Sequence, residues 1–299
     1  MTIPRILSYP LPQAAELPRN KAHWQPEPGR AALLIHDMQQ YFCRFYAADC
    51  PLLRTLLQHI LQLRHYADQQ QIPVIYTAQP AEQAPADRAL LNDIWGPGLT
   101  AADPALAAIV DELAPRADDI VLTKWRYSAF AKSPLQELLQ ECGRDQLLIC
   151  GIYAHIGIQT TAVDAFMRDI QPFVIADAIA DFDLASHLHA LHYLAGRAAV
   201  ILPTAFFSQQ LCSEGELTLL DSNSLTAHVL HLVADDVAEF SADANLLDYG
   251  IDSVQIMAIV AKWREQGLAV DFIDLAEQPT LNAWLALLQR QQIVLAEAV

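Results

Sequence analysis

The chain predicts an α/β protein, a doubly wound, mostly parallel sheet, followed by a small all-α unit of four helices. Three observations carry that reading. Six short apolar runs alternate with longer stretches of helical spacing between Arg30 and Leu202. The runs are rich in Val, Ile and Leu and show no period of two, as strands covered on both faces should. Beyond Leu202 the strand-like runs stop, and the patterned stretches that follow have helical spacing.

In chain order, the predicted strands are Ala31–Ile35, Pro73–Tyr76, Ile120–Leu122, Gln146–Cys150, Phe173–Ala176 and Ala199–Leu202. Between them, Leu52–Gln71, Pro104–Leu113, Pro134–Cys142, Ile158–Arg168 and Ala185–Gly196 place apolar residues on one helical face, as crossover helices of a parallel sheet must. Ser208 to Ser224 is a mixed polar stretch that reads as a linker. The expected division is therefore 1–207, a linker 208–224, and 225–299. In the last part Leu225–Leu232, Ser253–Gln266 and Leu281–Gln291 read as helices, with a short turn near Phe272–Glu277 and Pro279 as a breaker.

Composition narrows the function. The 299 residues, 53% hydrophobic and 18% charged, suffice for a sizeable core and exclude wholesale disorder. Lys+Arg 18 against Asp+Glu 35 gives a net charge of -17, which repels phosphate backbones and anionic lipid, so nucleic acid and membrane surfaces are not the expected partners. Residues 221–299 hold 12 acids and 3 bases, so the acidity is concentrated in the C-terminal quarter. The five cysteines, Cys43, Cys50, Cys142, Cys150 and Cys212, have neither C-x-x-C spacing nor matched histidine pairs, which argues against a disulfide framework or structural zinc. Met1 to Pro12 carries Arg5 and three prolines without a continuous apolar run, and is not read as a signal peptide. A reducing cytoplasm is the expected location.

Ligands of doubly wound sheets bind beyond the carboxyl ends of the strands. Asp37 ends the run Leu33-Leu34-Ile35-His36-Asp37, Lys124 follows Ile120-Val121-Leu122-Thr123, and Gly151 to Gly157 follows Leu147-Leu148-Ile149-Cys150. These three positions should converge at one edge, although from position alone the Asp could cap a turn and the Lys could solvate a loop. His36 and His155 read as structural histidines, and Ser128 as a turn or cap residue.

The stretches Ile35-His36-Asp37-Met38-Gln39, Lys124-Trp125-Arg126-Tyr127-Ser128-Ala129-Phe130 and Gly151-Ile152-Tyr153-Ala154-His155-Ile156-Gly157-Ile158-Gln159-Thr160-Thr161-Ala162 resemble the isochorismatase-like hydrolases. Many members of that superfamily are amidases with an Asp, a Lys and a nucleophilic Cys at the start of a helix. Here the Cys position is Gly157, so acyl-enzyme chemistry by that route is unavailable, while the true isochorismatases also carry Gly there. The resemblance implies hydrolysis of isochorismate, a vinyl ether, through protonation of its terminal carbon, addition of water, and collapse of the hemiketal to pyruvate and 2,3-dihydro-2,3-dihydroxybenzoate. That route needs one general acid, for which Asp37 is the candidate. With an unperturbed pKa of about 3.9, Asp37 needs burial to raise it, while Lys124 pulls the other way. Arg88 and Lys124 are the candidate cations for the substrate dianion. By resemblance the pocket includes Phe42, Gln79, Trp95, Tyr127 and Tyr153, with the backbone at Gly157 offering N–H groups to a carboxylate.

The second signal is Asn245-Leu246-Leu247-Asp248-Tyr249-Gly250-Ile251-Asp252-Ser253-Val254-Gln255-Ile256-Met257, which resembles the phosphopantetheine attachment site of carrier proteins. Ser253 is the expected attachment point, at the start of a helix with apolar positions at Val254, Met257, Ala258 and Ala261. Asp248 and Asp252 suit docking to basic partner surfaces, and Asp252 could contact the Mg2+ used when the arm is attached; no metal is expected for the hydrolysis. Met257, Phe272 and Ala276 either form an apolar docking patch or pack inside the bundle.

Both units in this order, from Ile3-Pro4 through Trp284, resemble the bifunctional isochorismatase and aryl carrier proteins of catechol siderophore assembly. The resemblance implies a 4'-phosphopantetheine cofactor, partnership with a 2,3-dihydroxybenzoate-AMP ligase, a phosphopantetheinyl transferase and the condensation domain of a nonribosomal peptide synthetase, and a homodimer through the hydrolase domain. Two rival readings stay open: a carrier scaffold with an inactive hydrolase domain, and a cysteine-type amidohydrolase using Cys150 or another thiol.

Overall fold

A computed structural model of the chain describes residues 3–47, 49–207, 225–226, 229, 232, 241–251, 253–265, 268 and 270–297. It divides into two units, Met1–Ser208 and Gln209–Val299. The first is built on six parallel strands: β1 (Ala31–His36), β2 (Val74–Ala78), β3 (Ile120–Thr123), β4 (Gln146–Ile152), β5 (Gln171–Ala180) and β6 (Val200–Leu202), in the order β3-β2-β1-β4-β5-β6. All residues of β1 and β4 are buried. That explains their unbroken apolar character, since helices cover both faces of a parallel sheet. The edge strand β3 is only partly covered, leaving Val121 exposed.

The helix Pro51–Gln69 starts with proline at its first position and buries Leu52, Leu56, Ile60 and Leu63, one stripe at helical spacing. Its buried Arg64 is held by Tyr76 Oη at 2.9 Å and Asp119 at 2.6 Å, so the charge does not enter the core unpaired. Helices Leu135–Glu141, Gln159–Met167 and Leu184–Arg197 complete the layers, the last capped by Asp183 accepting from Ser186 N at 2.7 Å.

Two expectations fail here. Pro104–Leu113 is not a helix: Pro104–Ala107 and Asp111–Leu113 are separate single turns, and Ile109 between them bridges Gln39 instead. Also, β5 continues to Ala180, four residues beyond the predicted end, past a register shift opposite Ile149 and Gly151. Its polar Asp177 looks like a strand end in sequence. In the fold Asp177 accepts from Thr204 N and Oγ1 at 2.7 and 2.8 Å, which lets the strand run on.

In the second unit the described helices are Ser253–Glu265, Phe272–Ala276 and Leu281–Glu297, with residues 225–226, 229 and 232 also helical. Trp263, Trp284, Ile259, Leu275 and Leu288 form a fully buried core, and the Trp284 indole N–H donates to Leu275 O at 2.9 Å. The expected linker 208–224 and most of the expected helix Leu225–Leu232 lie outside the described residues.

Candidate active site

The strand order reverses at β1, which pairs with β2 on one side and β4 on the other, so the crevice for a ligand opens above their carboxyl ends. The chain supplies Asp37 after β1, Gln79 after β2, Lys124 after β3, Tyr153 after β4 and Phe182 just past β5. All five border one cavity of about 320 Å³. Phe42, Arg88, Trp95, Tyr127 and Gly157 border it as well, so all nine residues expected at the first site meet in one place.

At its floor Asp37 and Lys124 form a buried ion pair. Lys124 Nζ donates to Asp37 Oδ2 at 2.8 Å, Thr77 Oγ1 donates to Oδ1 at 2.7 Å, and Asp37 N donates to Thr77 Oγ1 at 3.1 Å. Asp37 is 5% exposed and Lys124 3%. Asp37 adopts a left-handed φ of 51°, which an aspartate tolerates better than a branched residue and which ends β1 abruptly. Burial pushes the Asp37 carboxyl up, but the Lys124 ammonium, His36, and the bonds from Lys124 and Thr77 outweigh it and hold the group below the usual carboxylate range. The opposing effects set out from sequence are thus resolved in favour of Lys124.

The walls combine aromatic rings and cations. Tyr153 meets Phe182 edge-on at 4.7 Å and Phe42 at 6.2 Å, its hydroxyl donating to Phe42 O at 2.8 Å. The Trp95 indole N–H donates to Tyr127 Oη at 2.7 Å. Arg88 is 5% exposed, and its Nε donates to Gly96 O at 2.8 Å. The loop closes over it through Gly98 at φ 56°, where an added Cβ would sit 2.6 Å from Arg88 Nη2. Arg44, Arg88, Lys124 and Arg126 line the cavity against one carboxylate, Asp37, and among the described residues none of the three arginines is paired with a carboxylate. A chain of net charge -17 thereby builds a cationic cleft.

Sequence reasoning missed Thr77 and Phe182. Thr77 stands opposite His36 in the β1–β2 register and could have been found by the strand-end rule. Phe182 was hidden by the early end assigned to β5. Cys150 is fully buried, its thiol directed to Leu34 O at 3.6 Å, and burial pushes its pKa far up. His155, assigned no chemistry, pairs with the fully buried Asp181 at 2.6 Å.

In the second unit Ser253 is exposed at the first position of Ser253–Glu265, after a turn, Leu246–Tyr249, that Gly250 closes in a left-handed conformation at φ 90°. The buried face of this helix is Ile256, Ile259, Val260 and Trp263, whereas Met257, Ala258 and Ala261, among the apolar positions noted in the sequence, are exposed. Apolar residues fall on more than one side of this helix, so spacing alone does not choose the face. Met257 is 54% and Phe272 37% exposed, with Ala276 half-buried, which removes the interior-packing alternative for the first two. Asp248 is exposed, and Asp252 lies outside the described residues.

Two family models match the chain: the isochorismatase domain over residues 31–206 and the phosphopantetheine attachment site over residues 224–288. The chain is 50% identical over 291 residues to enterobactin synthase component B of Escherichia coli, covering 97% of this chain and 99% of that protein. It is 44% identical over 310 residues to an isochorismatase of Bacillus subtilis, covering 100% and 99%. Among solved structures, a cysteine hydrolase from Pseudomonas syringae pv. phaseolicola shares the fold, with a TM-score of 0.58 at 24% identity over 69% of this chain and 99% of that one.

Proposed function

The chain belongs to the isochorismatase family and carries a phosphopantetheine attachment domain after the hydrolase domain, and from that premise we propose how its residues work. The protein is an isochorismatase and a phosphopantetheine carrier with a role in siderophore synthesis. The observation that carries the mechanism is the buried Asp37–Lys124 pair at the floor of a cleft in which no described side chain offers a nucleophilic thiol.

Arg88, Arg44 and Arg126 draw in the isochorismate dianion, and Phe42, Trp95 and Tyr153 enclose its ring. The substrate's negative charge then competes with Asp37 for Lys124. With the cation shared, burial dominates, and Asp37 takes up a proton. Asp37 donates that proton to the terminal carbon of the enolpyruvyl group, leaving an oxocarbenium ion whose charge the regenerated carboxylate stabilises. Water adds to the cationic carbon and loses a proton, and the hemiketal C–O bond breaks to give pyruvate and 2,3-dihydro-2,3-dihydroxybenzoate. Gln79 and the backbone at Gly157 orient the substrate's oxygens.

For the carrier, the exposed Ser253 hydroxyl fits an attachment point, because a transferase must reach it and an arm must swing from it. The arm supplies a thiol for a thioester with 2,3-dihydroxybenzoate. Asp248 and Asp252 serve docking, Asp252 would contact the Mg2+ used in the attachment step, and Met257, Phe272 and Ala276 serve the synthetase. The specific partners in this reading are the 2,3-dihydroxybenzoate-AMP ligase, the phosphopantetheinyl transferase and the condensation domain. The hydrolase domain pairs as a homodimer, with the protein working in the cytoplasm.

The test is direct. Purified protein supplied with isochorismate should release pyruvate and dihydrodihydroxybenzoate in equal amounts; no pyruvate would leave the scaffold reading standing. Loss of turnover on thiol alkylation would instead favour the amidase-type route.

A further inference from the structure

His36 neighbours the proposed acid, yet it plays no part in the mechanism above: its ring is fully buried and does not border the cavity. It does border Gly157. A Cβ built on Gly157 would lie 2.1 Å from His36 Cε1 and 2.8 Å from Nε2, closer than side-chain atoms pack. The ring is not the free end of a flexible side chain. Its Nδ1 lies 2.9 Å from Ile152 O and donates to it, Nε2 faces Thr161 Oγ1 at 3.4 Å, and Thr161 Oγ1 is itself held by Ala129 N at 3.0 Å. Strand β1, the end of β4 and helix Gln159–Met167 therefore all fix the imidazole against residue 157.

The three heavy atoms nearest that Cβ all belong to the His36 ring. Gly157 opens onto the cleft beside a helix start, and Lys124 on the same cleft would favour a thiolate over a thiol. Volume is what excludes the side chain. We infer that His36 is a specificity-determining residue: its ring fills the space a nucleophile at position 157 would need, and so commits the cleft to proton transfer rather than acyl-enzyme chemistry. The steric part of the inference stands independently, and the part concerning reaction choice rests on the hydrolysis reading above.

The experiment compares full-length wild type, His36→Ala, Gly157→Cys, Gly157→Ala and the two double variants, by thermal unfolding and by peptide-resolved mass spectrometry after iodoacetamide. Peptide resolution separates residue 157 from the exposed Cys142. Each Gly157 substitution should lower the melting temperature. Adding His36→Ala should restore about 3 °C or more of that loss, because the new side chain occupies the vacated volume. Alkylation at residue 157 should be at least about tenfold faster in His36→Ala/Gly157→Cys than in Gly157→Cys. Should Gly157→Cys not be recovered folded, the Gly157→Ala pair, which adds only the offending Cβ, makes the same thermal comparison. The inference is overturned if the Gly157 variants melt with the wild type, or if the losses of the two single variants simply add. No readout uses isochorismate, so failure of pyruvate release in the wild type would sink the hydrolysis reading without touching this one.

Discussion

Replacing Asp37 by asparagine isolates the proton from the shape. The amide is isosteric, and turned with its oxygen toward Lys124 Nζ and its nitrogen toward Thr77 Oγ1 it keeps both of the contacts that the carboxylate makes at 2.8 and 2.7 Å. What is lost is the one carboxylic acid that the described residues place on the cavity wall. A positioned general acid contributes about 10²- to 10⁴-fold, so kcat should fall by that factor, about 3 to 5 kcal/mol in the barrier. The Michaelis constant should stay level or drop, because Lys124 is released from its counter-charge and is free for the substrate's carboxylates. The assay is steady-state pyruvate release over a range of isochorismate concentrations, with thermal unfolding measured on the same preparation. A folded Asp37→Asn protein that keeps more than about a tenth of the wild-type kcat would refute the assignment, since no general acid worth the name contributes less.

Three further outcomes are expected. Ser253→Ala should leave pyruvate release intact while abolishing the mass increase on incubation with coenzyme A and a phosphopantetheinyl transferase; a mass increase that persists would place the attachment elsewhere. Thr77→Val removes the donor to Asp37 Oδ1 and the acceptor for Asp37 N, so it should destabilise the fold by about 1 to 3 kcal/mol and move the limb on which kcat/KM falls with rising pH to higher pH, as the carboxylate loses a stabilising bond; an unmoved limb would contradict it. Burial pushes His36 and His187 each down to about 4 from an ordinary value near 6.5. Their contribution is therefore fully present above pH ~6.5 and is lost as pH falls toward 4, about 3 kcal/mol apiece. Chemical denaturation at pH 7, 5.5 and 4.5 should show that decline, and His187→Gln, if it folds, should flatten it; a flat wild-type profile would count against neutral buried imidazoles.

The parallel sheet was legible because both-face burial writes itself directly into composition: β1 and β4 have no polar face, so their apolar runs cannot be read as amphipathic strands. The site was legible for a related reason, since the residues after such runs land on one edge. Legibility failed where polar residues are satisfied by distant partners. Asp177 interrupts β5 in sequence but is paid for by Thr204, and Phe182 at the true strand end went unnoticed as a result. It failed again in Ser253–Glu265, where apolar residues on more than one side of the helix leave the choice of buried face to packing against Trp284 and its neighbours.

The pairing of Asp37 with Lys124 looks at first like the wrong state for an acid, because the ligand-free carboxylate is held ionised. The contradiction dissolves once the substrate's charge is counted. Burial favours the neutral acid, and the Lys124 cation, His36 and the bonds from Lys124 and Thr77 reverse that preference. In the proposed mechanism a dianion arriving on Arg88 and Lys124 cancels the very charge that opposes protonation, while its ring seals the cleft and strengthens the burial effect. Binding and proton uptake are in that mechanism one linked event.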